Sequence, residues 1–372
     1  MVTRIHIIAA ARPNFMKAAP LYHALKANSA FDVKLVHTGQ HYDENMSGTF
    51  LKELGLPEPD YNLKIGSGRH GAQTGAVIAR YEELCLEIDM PDWVVVIGDV
   101  NSTIGCALAA SKIGIKIAHL EAGLRSFDRT MPEEINRILT DQLADILWTP
   151  SVDGDEHLLN EGIPENKIIR IGNIMIDSLV MQREKINAEK TADKHGLTAG
   201  KYAVVTLHRP ANVDTKPELQ DLLDTMCRIS KDLPLAWPLH PRTKAKMEEF
   251  GLFEQFENAE NILHLEPLGY SPFMSLVQDS ACVITDSGGI QEETTYLGVP
   301  CLTLRPNTER PITITEGTNK LVTTQNIESY LEKALAETST DRKAPELWDG
   351  KTALRAVKSL EALLEQKAKQ AA

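Results

Sequence analysis

From one end to the other, the chain alternates short β-branched runs with stretches of helical periodicity, and this limits the folds open to it. The runs fall at 5–10, 33–37, 93–97, 116–119 and 146–149, and again at 203–207, 235–239, 262–265, 282–285 and 301–304. Such alternation predicts parallel sheets covered by helices, an α/β fold. Ligands of open α/β sheets bind beyond the carboxyl ends of the strands. Polar, glycine-rich or charged clusters follow those ends here: Ala11-Arg12-Pro13-Asn14, Thr38-Gly39-Gln40-His41, Gly98-Asp99-Val100-Asn101-Ser102, Glu121-Ala122-Gly123-Leu124-Arg125, His208-Arg209-Pro210, His240-Pro241-Arg242 and Asp286-Ser287-Gly288-Gly289. Clusters at corresponding edges predict one extended cleft.

A chain of 372 residues is long for one core, because cores tend to split beyond about 250–300 residues. Two similar domains facing each other across the cleft are expected. The boundary falls near 171–177, giving domains 1–172 and 173–351, with a polar helix around 178–190. The segment 352–372 carries Leu354, Val357, Leu360, Leu363 and Leu364 at helical spacing and is expected to pack back on the first domain.

A formal charge of −13 argues against non-specific binding to nucleic acid or an anionic membrane, so a phosphorylated ligand needs a local basic site. No segment approaches the roughly 18 apolar residues of a membrane helix. Cys85, Cys106, Cys227, Cys282 and Cys301 are widely spaced without a C-x-x-C pair and read as buried thiols in a reducing cytoplasm.

The glycine turn at 286–289 joins a strand to a helix. There the first helical N–H groups lack partners and the helix dipole is positive, so a phosphate can sit against Ser287, Gly288 and Gly289; an ordinary strand-to-helix turn reads the same way in isolation. Arg12 and Lys17 flank the first helix and suit a diphosphate. Asp99, at a strand end, reads as a base or as a loop carboxylate. Glu121 directly follows an apolar strand and reads as functional. Glu133 and Arg137 have the i,i+4 spacing of an ion pair on a helix that opens at Pro132. His208 and His240 stand at strand ends of the second domain as acid, base or phosphate ligands.

Two motifs are set aside. Gly66-Ser67-Gly68-Arg69-His70-Gly71 matches G-x-G-x-x-G, but the run before it is polar and is not the first strand of its sheet. Asp153-Gly154-Asp155 is the only D-x-D, and helix capping after Pro150 accounts for it. No H-E-x-x-H or cysteine cluster supports a metal.

Taken together, A-R-P-N-F-M-K (11–17), H-T-G-Q-H (37–41), G-D-V-N-S-T (98–103), H-L-E-A-G-L-R-S (119–126), M-P-E-E-I-N-R (131–137), H-R-P-A-N-V-D (208–214), H-P-R (240–242), T-D-S-G-G-I-Q-E-E (285–293) and T-E-R-P (308–311) resemble the non-hydrolysing UDP-N-acetylglucosamine 2-epimerases. The resemblance runs from residue 5 to about residue 322. It implies a glycosyltransferase-B-like architecture: two Rossmann-like domains, a cleft between them and a C-terminal helix crossing back to the first. It implies interconversion of UDP-N-acetylglucosamine and UDP-N-acetylmannosamine without nicotinamide or metal, no cofactor, and a cytoplasmic homodimer whose product supplies cell-surface polysaccharide. By residue-wise resemblance Asp99, Glu121, Glu133 and His208 are catalytic and Arg137 orients or balances the carboxylates. Arg12, Lys17, His240, Ser287, Gly288 and Gly289 lie about the diphosphate, Glu293 meets the ribose hydroxyls, Phe273 forms part of the uracil pocket, and Arg310 is a further nucleotide contact.

The chain departs from many members at Asn14, where they carry Glu, and at Pro210-Ala211, where they carry Arg-Glu. Ala72 and Pro210 stand where arginines of a second, activating substrate site are expected, which argues against strong activation of that type. A sister group acting on a UDP-2,3-diacetamido-2,3-dideoxy-glucuronic acid shares the R-S-F and M-P-E-E-I-N-R style. A glycosyltransferase of the same architecture needs only one catalytic base, so the surplus of carboxylates counts against it.

Overall fold

The structure, a computed structural model, describes residues 2–39, 51–336 and 344–371, without the side chains of Arg12, Lys367, Ala368, Gln370 and Ala371. Gln40 and His41 therefore lie outside the described residues. The chain divides into two compact units, Met1–Met181 with Glu346–Ala372, and Gln182–Pro345.

The first unit is built on seven strands: β1 (Thr3–Ala9), β2 (Phe31–His37), β3 (Tyr61–Asn62), β4 (Trp93–Ile97), β5 (Lys116–Leu120), β6 (Ile146–Thr149) and β7 (Ile168–Arg170). They pair in the order β3-β2-β1-β4-β5-β6-β7, every pair parallel. The central strand β4, Trp-Val-Val-Val-Ile, is buried at every residue, which is why its apolar run is continuous rather than alternating. The second unit has six strands, β8 (Ala203–Thr206), β9 (Leu235–Pro238), β10 (Ile262–Leu265), β11 (Cys282–Thr285), β12 (Cys301–Leu304) and β13 (Asn319–Val322), again all parallel, in the order β10-β9-β8-β11-β12-β13. Both are Rossmann-like parallel sheets of the glycosyltransferase-B type. The order reverses between β1 and β4 in one unit and between β8 and β11 in the other. Crevices at such reversals are where open α/β sheets hold ligands.

The division after Met181 lies beyond the break expected at 172. The helix Ile174–Met181 stays with the first unit because Ser178 Oγ donates to Met16 O (2.5 Å). Asp177 accepts the N–H groups of Thr352 and Ala353 (3.1 and 2.8 Å), so it caps the C-terminal helix Thr352–Ala371. That helix returns to the first unit, where Trp148 Nε1 donates to Ser359 Oγ (2.8 Å) and Asn28 Nδ2 to Glu361 Oε1 (2.6 Å). Its inward face is Ala353, Ala356, Val357 and Leu360; Leu354 is 55% exposed, so the leucine spacing overstated the buried stripe. The single polar helix expected at 178–190 is instead two, Ile174–Met181 and Arg183–Glu189.

The strand ahead of the 66–71 glycines is the two-residue edge strand β3, far from the sheet reversal. Side-chain capping does not explain the D-x-D: Ser151 makes no capping bond, while Asp155 binds Thr149 Oγ1 and Arg170 Nε (2.7 Å). All five cysteines are free; Cys227 is half-buried and the rest are buried. Among the described residues no helix is long and apolar enough to cross a membrane.

Candidate active site

At the reversal of the first sheet, β1 runs into the helix Arg12–Lys26, whose first turn holds Arg12 and whose second holds Lys17. β4 leads into Gly98 and Asp99, and β5 ends before Glu121. Lys17 Nζ donates to Glu121 Oε2 in a pair that is nearly buried. A Cβ on Gly98 would lie 3.3 Å from Glu121 Oε2 and 3.7 Å from Lys17 Nζ, so the Asp99 turn packs directly against that pair. Glu121 adopts a left-handed backbone (φ 71°), unusual for a residue with a side chain. The turn persists because the N–H groups of Glu121 and Ala122 both donate to Trp148 O at 3.1 Å. Gly123 follows at φ 79°, where a Cβ would stand 2.3 Å from Gly154 O, so only glycine fits.

The helix Pro132–Leu143 supplies the supports. Arg137 Nε and Nη2 donate to Asp99 Oδ2 at 3.0 and 2.7 Å, and Nη1 donates to Glu134 Oε2. Asn136 Nδ2 donates to Asp99 O at 2.9 Å. Asp141, fully buried on the same face, accepts from Gly123 N (3.2 Å) and Arg125 Nη2 (2.7 Å) and lies 2.6 Å from His119 Nδ1. His119 Nε2 in turn lies 2.8 Å from Gly98 O. Burial pushes the Asp141 carboxyl up, but His119 and Arg125 outweigh it and hold the carboxyl below its usual range.

Both strand-end carboxylates therefore share one arrangement. Asp99 Oδ2 and Glu121 Oε2 are each held by a cation, while Asp99 Oδ1 takes no hydrogen bond among the described residues and Glu121 Oε1 is buried without a partner. The i,i+4 spacing suggested Arg137 with Glu133. The structure instead sets Arg137 on Asp99 and on Glu134 at i−3, and Glu133, half-buried, takes part in neither bond. The helix turns Glu134, Arg137 and Asp141 inward together, and Glu133 stands at the edge of that face.

In the second unit, β8 leads to His208 and β11 to the helix Gly288–Leu297, with Ser287 at the N-cap position but making no side-chain capping bond. Asp286, fully buried, accepts from His208 N (2.9 Å), Arg209 N (2.8 Å) and Asn212 Nδ2 (3.0 Å) on one oxygen. Its other oxygen is 3.1 Å from His208 Nδ1, close enough for an ion pair though off the line of a hydrogen bond. Burial raises the Asp286 carboxyl, and His208 with the converging N–H groups overcomes it, leaving the carboxyl lowered. The His208 and His240 rings stack with centroids 4.9 Å apart. His240 caps the helix Pro241–Phe250 and accepts Arg242 N–H on Nδ1 (3.1 Å), which leaves Nε2 to face outward as a donor. Burial, then His208, lowers its basicity.

Gly288 packs closely: a Cβ there would lie 2.8 Å from Glu309 Oε1 and 2.9 Å from Arg310 Nη1, so the ends of both side chains would have to shift, whereas nothing comes within 4 Å of one on Gly289. Arg310 is held by Glu309 (2.6 Å) and Glu292 (2.9 Å), and Arg305 pairs with Glu309 at 2.8 Å. Glu293, buried beside Glu292, accepts Tyr270 O–H at 2.7 Å and is pushed up to about 8, burial being the main cause. Phe273 sits one turn beyond Tyr270 on the helix Tyr270–Gln278. The Arg12 side chain is outside the described residues.

The family model of the UDP-N-acetylglucosamine 2-epimerases matches residues 23–361. The chain belongs to the UDP-N-acetylglucosamine 2-epimerase family. It is similar to the UDP-N-acetylglucosamine 2-epimerase of Methanocaldococcus jannaschii, 44% identical over 326 residues, 86% of this chain and 88% of that one. A crystal structure of the M. jannaschii enzyme in complex with UDP-GlcNAc and UDP has a TM-score of 0.87 at 41% identity, covering 96% of this chain and 99% of that one. The chain is also 41% identical to the UDP-2,3-diacetamido-2,3-dideoxy-D-glucuronate 2-epimerase of Pseudomonas aeruginosa over 323 residues, 86% of this chain and 88% of that one. The 2-epimerase is thus an isomerase built on two parallel-sheet units.

Sequence reasoning did not single out Glu134, Asp141, Asp286 and Gln291, whose side chains the structure places around the candidate site residues. Gln291, fully buried, donates to Ser287 O (3.0 Å) and accepts from Thr308 Oγ1 (2.7 Å) and Asn319 Nδ2 (2.9 Å), tying the cap of the glycine turn to the loop that carries Arg310. The available signal was the charged face 134, 137, 141, whose spacing puts three ionisable groups on one side of a helix.

Proposed function

We propose that this isomerase interconverts UDP-N-acetylglucosamine and UDP-N-acetylmannosamine by eliminating UDP and adding it back. The C2 proton of an acetamido sugar is not acidic in the ground state. Cleavage of the C1–O bond builds positive charge at C1 and acidifies C2–H. The bond pair from C1–O leaves on the β-phosphate oxygen, a carboxylate takes the C2 proton, and the C–H pair becomes the C1=C2 bond of 2-acetamidoglucal. Protonation of C2 from the opposite face and attack of the UDP oxygen at C1 complete the epimerisation. This needs acid–base groups near C2 and positive stabilisation of the departing diphosphate.

The observation that carries the reading is the pair of strand-end carboxylates, Asp99 and Glu121, each with one oxygen held by a cation and the other without a hydrogen bond among the described residues. We assign the C2 proton transfers to Asp99 and Glu121, with Glu133 and His208 as further acid–base groups and Arg137 as the group that orients Asp99. His240 Nε2, the Ser287–Gly289 turn, Arg12 and Lys17 receive the diphosphate, Glu293 the ribose, Phe273 the uracil and Arg310 a further part of the nucleotide. A homodimer in the cytoplasm, feeding cell-surface polysaccharide synthesis without a cofactor, completes the proposal. The likeness to the P. aeruginosa enzyme supports a second substrate, the diacetamido glucuronate.

The test is incubation of the purified enzyme with UDP-N-acetylglucosamine in deuterated water, followed by NMR. The expected result is the manno epimer with deuterium at C2, without acceptor, metal or nicotinamide. Retention of the C2 proton and no epimer overturns this substrate, and the same assay with the diacetamido glucuronate then decides the second.

A further inference from the structure

We propose that Glu134 is a positioning residue for the C2 chemistry: it holds Arg137 against Asp99 and, with the same carboxylate, fixes the Ser126–Phe127 turn. This rests on the assignment of Asp99 to proton transfer. Glu134 is 1% exposed, and one of its bonds runs to the arginine that holds Asp99. Its Oε2 accepts from Ser126 N (2.9 Å), Ser126 Oγ (2.9 Å) and Arg137 Nη1, and its Oε1 accepts from Phe127 N (2.8 Å). A buried charge survives only when paired and hydrogen-bonded, and here both conditions are met by the groups it positions. Burial raises the Glu134 carboxyl, but the Ser126 and Phe127 N–H groups and Arg137 overcome it and leave it lowered, so it is an anion.

Arg137 lies between two carboxylates with different duties. Its fork toward Asp99 ends on a single oxygen, and its remaining Nη1 is taken by Glu134. That second anchor fixes the plane of the guanidinium, and without it more of the cation's charge falls on the one carboxylate meant to exchange a proton. Phe127 supplies an independent sign of strain. Its backbone is left-handed (φ 58°), while its ring is 74% exposed, so burial of the ring does not explain the conformation. The bond from its N–H to Glu134 does. Strain of this kind, kept by one buried carboxylate beside Asp99, is what a preorganised site requires.

A double-mutant cycle on the full chain tests the role. kcat and KM for UDP-N-acetylglucosamine are measured for wild type, E134Q, R137K and the double variant, with circular dichroism to confirm folding. The expected result is a kcat for E134Q reduced roughly 10–100-fold with KM little changed, since misplacement of a catalytic group by about an ångström costs that order. In the R137K background, where the fork is already lost, E134Q is expected to cost less than about threefold. Equal losses in both backgrounds, or a wild-type kcat in E134Q, overturn the proposal. Should E134Q fail to fold, E134D keeps the charge and shortens the arm: a kcat loss that vanishes in R137K supports the role, and an unchanged kcat overturns it. Wild type separates the two claims. No turnover of either UDP sugar by wild type overturns the epimerase reading and this role with it, whereas an active wild type with an unaltered or additive E134Q overturns only the role of Glu134.

Discussion

The two sheet reversals hold their functional groups by opposite charges. In the first unit the buried anchor is a cation: Arg137, almost wholly buried, holds Asp99, whose side chain is 31% exposed. In the second the buried anchor is an anion: Asp286, fully buried, holds His208, whose side chain is 35% exposed. One reversal thus presents a carboxylate to solvent and the other presents imidazoles and a glycine turn. A proton acceptor needs a free, oriented anion, and a diphosphate needs donors and positive charge; each side buries the charge it does not offer. Lys17 and Glu121 are the exception, with both partners nearly buried, and Glu121 carries the strained backbone as well.

The largest effect should come from removing what the first unit presents. D99N and E121Q each keep size and lose the proton acceptor, so kcat should fall on the order of 10²–10⁴-fold. UDP affinity, measured by titration calorimetry, should change little, because the groups assigned to the diphosphate (His240, the Ser287–Gly289 turn, Arg12 and Lys17) are all retained in both variants. Turnover near wild type in either variant would return that carboxylate to a structural role, and a matching loss of UDP affinity would erase the division of labour between the proton-transfer groups and the diphosphate groups.

A smaller effect tests the second unit. In G288A the new methyl meets Glu309 Oε1 at 2.8 Å and Arg310 Nη1 at 2.9 Å, so that ion pair has to move. Affinity for UDP should drop about tenfold or more, roughly 1.4 kcal/mol, and the melting temperature should fall. G289A meets nothing within 4 Å and should cost no thermal stability. If the two variants lose stability equally, the close packing of Glu309 and Arg310 over Gly288 is not what fixes the turn.

The presented groups were legible in the sequence, and the anchors were not, for one physical reason. Asp99, Glu121, His208 and His240 directly follow short apolar strands, and strand ends in parallel sheets are marked by the abrupt change from apolar to polar residues. Glu134 and Asp141 sit inside a helix, where a charged residue reads as a solvated face; only the fold shows that this face is turned inward. Glu133 attracted the pairing with Arg137 because i,i+4 spacing is a local rule, whereas Asp99 is brought to Arg137 by the sheet. Asp286 was read as part of a phosphate turn, and its actual bonds run to β8's loop, a partner that only the β8–β11 pairing supplies.

Glu293 sharpens the contrast, because it is a carboxylate of the second unit that accepts from a phenol rather than from a cation. Burial, with Glu292 adding to it and the Tyr270 bond opposing it, puts its carboxyl at about 8, above the ordinary 4.5 it regains on unfolding. Between those values the folded protein keeps a proton that the unfolded chain has released, so its contribution makes stability fall as pH rises through that window. Below 4.5 both states are protonated and the term vanishes. E293Q has no proton to keep, and other groups cancel in the comparison with wild type. From pH 6 to pH 7 the wild type should therefore lose about 1.4 kcal/mol relative to E293Q, the value of one pH unit for one proton. Urea unfolding at the two pH values reads this difference. A constant gap between the curves would mean that Glu293 is already ionised in the folded enzyme, and that the second unit offers UDP a ready anion for the ribose rather than a carboxyl that gives up a proton before it can accept one.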